Sequence, residues 1–205
     1  MNDVEIRQNF HRKILRRQHA RNDTLVIDEL GLQHGKCRAD IAVINGHLMG
    51  YEIKSDNDSL RRLGLQVESY NAVFDRAFIV VGDRHIDSIQ DHVPEWWGVI
   101  ASSRGPRGAI NFNMIRKAQV NKGIDPVSVA RLLWRDEAVE ILQQRRLPSR
   151  VLRQPRAALY KHLSEQLNIC ELRKAVRQYL QKRKNWRCPE SLSRYGDLSQ
   201  PASTL

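Results

Sequence analysis

Glu52, Ile53 and Lys54 close an apolar run, and Asp40 lies on the apolar run before it. The two runs, Arg38–Ile44 and His47–Lys54, are joined by Asn45-Gly46. Asn-Gly between apolar runs predicts a two-residue hairpin, because both central positions of a type I′ turn need positive φ. Strand side chains alternate, so Glu52 and Lys54 share one face and Tyr51 and Ile53 the other. Two carboxylates beside an ammonium can hold a divalent cation and a water, which is the minimum needed to hydrolyse a phosphodiester.

The triplet alone carries little weight. With 23 acids and 9 lysines in 205 residues, roughly one acid-x-Lys is expected by chance. Its weight comes from the elements that must position it. Val4, Ile6, Phe10, Ile14 and Leu15 recur at near-helical spacing and predict a helix over residues 3–20. Thr24–Leu32 reads as a strand that carries Glu29, and the hairpin follows. Leu60, Leu63, Val67 and Tyr70 predict a helix over 59–73. Strands are expected at Arg76–Val81, Trp97–Ala101 and Ala109–Phe112, with a short helix over 84–92 and a loop over 102–108. Asp125-Pro126 is a helix-start signal, and Val127–Arg146 reads as one helix ended by Leu147-Pro148. Pro155–Leu167 and Ile169–Lys184 read as two more, and the Ser/Pro-rich tail from Pro189 reads as frayed.

The order helix, three strands, helix, strand, with this acid pattern, resembles the PD-(D/E)XK nuclease superfamily. The resemblance covers residues 3–101. It places the second-strand acid at Asp40, with Ala39 where the motif has proline, and the (D/E)-x-K triplet at Glu52 and Lys54. Gln66-Val67-Glu68-Ser69-Tyr70 is similar to the Q-x-x-x-Y motif of the RecB-like branch. Gln66 and Tyr70 are four apart and share a helix face. Glu29 matches an acid often found on the first core strand, and Glu5 one sometimes found on the first helix. The resemblance implies a restriction-endonuclease-like αβββαβ core with a mixed central sheet, an α/β fold, followed by an all-α module. It implies Mg²⁺, or Mn²⁺, held by Asp40, Glu52 and the Ile53 carbonyl. Lys54 and Gln66 would act on the attacking water, with Glu29 a further catalytic acid, and Tyr70 would touch the substrate. The biological settings it implies are repair, phage defence or mobile elements.

Each of these residues also has a plainer reading. Asp40 can pair with Arg38 or Lys54 as a strand-end acid. Lys54 can be a solvated edge lysine. Gln66 is an ordinary helix former, and Tyr70 falls on the apolar stripe and reads as core. Glu29 reads equally as surface, Glu5 reads as surface, and Asp56 and Asp58 read as caps. The seven histidines show no ligand or triad spacing. Trp134 reads as core joining the two halves.

Charge divides the chain. Residues 1–115 carry 15 basic and 15 acidic residues, 116–188 carry 18 and 6, and 189–205 carry 1 and 2, giving 0, +12 and −1 and the total of +11. Three units follow: a core at 1–115 that carries the chemistry, a basic helical module at 116–188 that grips nucleic acid, and a tail at 189–205. Within the module Arg153 and Arg156 flank a Pro-started helix, and Arg173, Lys174 and Arg177, with Lys182, Arg183 and Lys184, decorate the last one, with Trp186 after it. The competing reading is a solvated face with Leu172, Val176 and Leu180 packed inward.

A 41% hydrophobic content supports a packed core. Cys37, Cys170 and Cys188 are scattered and odd in number, which argues against a disulfide framework or zinc site and suits a reducing cytosol. No secretory leader is visible, and the apolar run Ala77–Val81 is too short to span a bilayer. The expected partner is nucleic acid, DNA first, with no membrane; a homodimer suits a small nuclease that cuts both strands. Two other classes compete: a non-catalytic nucleic-acid-binding protein that keeps the fold, and an interaction module whose basic helices dock an acidic protein.

Overall fold

A computed structural model describes residues 1–183 and Trp186. Its centre is one six-stranded mixed sheet with strand order β1-β2-β3-β4-β5-β6: Leu25–Leu32, Cys37–Ile44, Leu48–Lys54, Arg76–Gly82, Gly98–Arg104 and Ile110–Arg116. The β2–β3 hairpin turns at Gly46, whose φ of +88° is the left-handed geometry that the Asn-Gly signal requires. β3, β4 and β5 run parallel, and the other neighbours are antiparallel. Parallel neighbours need a crossover, and helix α3 (Leu63–Asn71) supplies it between β3 and β4.

Both sheet faces are covered, which is why β3, β4 and β5 are nearly continuously buried. On one face α1 (Asp3–Lys13) lays Ile6 and Phe10 on Ile41, Tyr51, Ile53, Val80 and Ile100. An Asn2/Glu5 capping box starts that helix. The other face receives α3 and five further helices: α4 (Pro126–Ala130), α5 (Arg135–Gln144), α6 (Ser149–Leu152), α7 (Arg156–Gln166) and α8 (Ile169–Lys182). They share one hydrophobic cluster with the sheet, with Val129, Tyr160, Leu172 and Val176 among the residues of a core that also holds Leu48, Phe74 and Ile79.

Several local readings need correction. The helix over 3–20 breaks: the amides of Ile14 and Leu15 both reach the Phe10 carbonyl, which ends α1, and a separate short helix of four residues follows at Arg16–His19. The helix over 127–146 also breaks, between Ala130 and Arg135, where Trp134 takes an extended backbone and becomes the N-cap of α5. Trp134 is therefore not core. It is 60% exposed and lies under the Arg183 guanidinium, 4.2 Å from its ring centre. Residues 84–92 hold two single 3-10 turns rather than a helix. β5 and β6 extend past the expected ends and pair as a hairpin, because residues 102–104 and 113–116 carry on the ladder. Lys184, Cys188 and the tail from Pro189 lie outside the described residues.

One buried acid ties α8 to the sheet. Asp75, 2% exposed, accepts the Leu48 amide at 2.7 Å and the Arg173 guanidinium, with Arg177 at 3.9 Å. Removing it leaves two half-buried guanidinium groups facing each other without an anion. Asp75→Ala should therefore lower unfolding free energy by about 3 kcal/mol in urea denaturation; a loss below about 1 kcal/mol would show that the pair holds nothing together.

Candidate functional site at the β2–β3 fork

The β2–β3 ladder runs from the turn to the pair Ile41–Tyr51 and stops there. Beyond it the two strands part, and Asp40 fills the fork. Its Oδ2 accepts the Ile53 amide at 2.7 Å, replacing the ladder bond that β2 no longer supplies. In a strand the N–H and C=O of one residue point the same way, so the Ile53 carbonyl also faces the fork.

Glu52, next on β3, is fully buried, and burial raises its pKa despite the opposing pull of Lys54. Three side chains stabilise the carboxylate. Lys54 Nζ lies 2.5 Å from Oε1, the Gln66 amide nitrogen donates to the same oxygen, and the Tyr70 hydroxyl donates to Oε2 at 2.8 Å. Gln66 and Tyr70 reach it together because they are one turn apart on α3. Tyr70 also lies 3.3 Å from the Asp40 amide, so it touches both acids through one hydroxyl. Burial, and then the Glu52 charge, push Asp40 up to about 7.

Asp40, Glu52, Ile53, Lys54, Gln66 and Tyr70 thus converge from three elements. Tyr70 is both core and site, fully buried with its hydroxyl in the acid cluster. Glu29 meets the fork through Arg7, which it shares with Asp40, and lines the cleft over Asp40. It holds a left-handed φ of +57°, which leaves Glu29 and Asp40 unpaired between the rungs Asp28–Ile41 and Leu30–Ala39. Glu5 belongs to a cap and to an exposed pair with Arg104.

Arg7 is the residue that spacing along the chain did not point to. It donates to the Asp40 carbonyl at 2.9 Å and to Asp40 Oδ1 at 3.0 Å, and it pairs with Glu29 Oε1 at 2.9 Å. The one sequence hint is its place beside the buried Ile6 on the face of α1 that meets the sheet. A second cluster also went unseen: His11 bridges Asp28 at 2.9 Å and His19 at 3.0 Å.

The basic residues assigned to substrate are dispersed. Arg173 and Arg177 are engaged by Asp75, as described above. Arg153 caps α6, Arg156 starts α7, and Lys174 lies in a groove between α5 and α8. A different cleft, of about 450 Å³, opens directly over Asp40 and Gln66.

The residues at the fork suit a hard divalent cation. Asp40, Glu52 and the Ile53 carbonyl are oxygen donors, and Gln66 Oε1 is buried beside them with no hydrogen-bond partner among the described residues. Among the described residues no group of three or more His, Cys, Asp or Glu is arranged to hold a metal, so two carboxylates and a carbonyl are what the fork offers.

The fold and the fork define an α/β protein with a mixed six-stranded sheet. The family model for bacteriophage P4 protein cII matches residues 2–194, and the chain belongs to that family. Protein cII of Enterobacteria phage P4 is 28% identical over 123 residues, which is 60% of this chain and 46% of that protein. The chain thus spans about half the length of the curated relative it matches. Among solved structures, Pyrococcus furiosus SfsA in complex with Ca²⁺ aligns at 15% identity and a TM-score of 0.36 over 57% of this chain and 65% of that one. A likeness at that level carries no argument about fold or activity.

Tyr70→Phe removes the hydroxyl that donates to Glu52 Oε2 and accepts the Asp40 amide, and leaves Glu52 Oε2 buried without a donor. It should cost about 2 kcal/mol of unfolding free energy, measured in urea. No loss would mean that Glu52 is protonated or hydrated by another route.

Proposed function

We propose that this chain is a metal-dependent nuclease with a restriction-endonuclease-like core, of the PD-(D/E)XK kind, acting on DNA. One observation carries the reading: Asp40, Glu52, Lys54 and Gln66 meet where β2 and β3 part, with the Ile53 carbonyl facing the same fork. The ion pair and core readings of these residues explain each contact singly. They do not explain why two acids are brought to a fork beside an unpartnered amide oxygen.

Asp40, Glu52 and the Ile53 carbonyl would hold Mg²⁺ or Mn²⁺. When bound, the ion acidifies a water and neutralises charge at phosphorus. Arg7 and the Ile53 amide fix the Asp40 rotamer from either side. Tyr70 and the Gln66 amide group fix Glu52. Gln66 Oε1, free of other partners, can accept a hydrogen bond from the attacking water and so aim it. As an ammonium, Lys54 Nζ would orient the water and stabilise the charge of the pentavalent state, the proton that the water loses passing to solvent in the cleft. The sheet unit at 1–115 performs this chemistry, and the helical module at 116–188 buttresses it and adds positive field.

A second reading has its own observation. All four carboxylate oxygens of Asp40 and Glu52 already accept a protein donor: Arg7 and the Ile53 amide on one acid, Lys54, Gln66 and Tyr70 on the other. That arrangement also suits a non-catalytic nucleic-acid-binding protein whose cations close the site.

Purified protein incubated with circular, linear and single-stranded DNA, and with RNA, separates the two. The nuclease reading expects cleavage with Mg²⁺ or Mn²⁺, none with EDTA, and a rate lowered by about 100-fold or more in Asp40→Asn and Lys54→Ala. Salt-sensitive binding with no cleavage under any metal overturns it in favour of the second reading.

A further inference from the structure

The +12 charge of the second half points to α8 as the nucleic-acid surface, yet the structure engages part of that charge internally. Arg173 and Arg177 face Asp75, and Arg183 pairs with Glu137 and donates to the Leu132 carbonyl. Arg145 is paired with Glu171. The charges beside the candidate site are different. Lys36 and Arg62 are exposed and make no ion pair among the described residues, and Arg38, 59% exposed, has only a 4.0 Å approach to Glu29.

These three cations flank the cleft over Asp40 on opposite lips. Lys36, at the end of the β1–β2 connection, and Arg38, at the start of β2, form one lip, and the turn that opens α3 brings Arg62 to the other. Leu65, one residue before Gln66, is 69% exposed on the α3 lip. The positive lip continues past Lys36: burial, and then the charges of Arg156, Arg131 and Lys36, hold His34 below the ordinary imidazole range.

We infer that one polynucleotide strand is seated in this cleft, its phosphates held by Lys36 and Arg38 on one side and Arg62 on the other, with Leu65 against a sugar or base. The arrangement follows from the chemistry of the two walls. Cations on both lips outnumber Glu29 and Glu68 there, and with Asp40 in the lining they suit a chain of phosphodiesters whose flanking phosphates are gripped while one is brought to Asp40. This deepens the nuclease reading and rests on the same site. It moves the grip from α8 to the walls of the fork.

The test is fluorescence anisotropy with a labelled single-stranded oligonucleotide in EDTA, where nothing is cut, across a series of NaCl concentrations. The triple variant Lys36→Ala/Arg38→Ala/Arg62→Ala should bind at least about tenfold more weakly and should flatten the log K against log[salt] slope by about 2, three single-strand phosphate contacts being lost. Leu65→Ala should weaken binding without changing that slope. Lys161→Ala/Lys174→Ala, exposed charges on α7 and α8, should bind like the wild type. All substituted side chains are on the surface, and an unchanged thermal midpoint confirms that each variant folds. Unchanged affinity and slope in the triple variant, or a loss confined to the α7/α8 variant, overturns the inference. Its failure is separable from that of the nuclease reading: a wild type that binds through this cleft and never cleaves sinks only the enzyme, and one that cleaves while the triple variant keeps its affinity sinks only the seat.

Discussion

A carboxylate with no solvent sits on the central strand of this sheet. Glu52 is fully buried, and a buried anion without compensation would cost more than a small domain can sustain. Much of the surrounding structure answers that constraint. Lys54 returns to it from two residues along the same strand, and α3 is placed so that Gln66 and Tyr70 both reach it. Asp40, on the neighbouring strand, brings a second acid into the same fork, and Arg7 must cross from α1 to balance it. With the Ile53 amide, five protein donors are assembled around two acids.

The fork exists because the hairpin stops pairing early. A ladder continued past Ile41–Tyr51 would satisfy Ile53 with backbone and leave Asp40 to solvent. Instead the Asp40 side chain takes the Ile53 amide, and the left-handed turn at Glu29 releases β1 from β2 at the same level. The two irregularities coincide, so the site lies where two neighbouring ladders are both interrupted. Strain and unpaired backbone of this kind persist only where surrounding contacts over-determine them, and here Arg7 links both irregular residues.

Much of this frame is legible in the sequence because it is local. Asn45-Gly46 names its own turn, alternation puts Glu52 and Lys54 on one face, and the four-residue spacing of Gln66 and Tyr70 puts both on one side of α3. The features that escape are pairings across the fold. Nothing in the spacing of Arg7 points to Asp40, 33 residues away, and nothing near Arg173 announces the buried Asp75. Trp134 misleads for the same reason: an apolar type beside Leu132 and Leu133 reads as core, but the helix break turns it outward onto Arg183. Net charge counts arginines without knowing which ones already have acids, and part of the charge of the second half fastens α8 to the sheet.

The central claim is that the two acids at the fork bind a divalent cation despite the donors already on them. Titrating the protein with Mn²⁺ and following free ion by electron paramagnetic resonance tests this without any substrate. The account predicts saturable binding of one ion per chain that Mg²⁺ displaces and that Asp40→Asn abolishes. Binding that is absent in the wild type, or unchanged in Asp40→Asn, would contradict it.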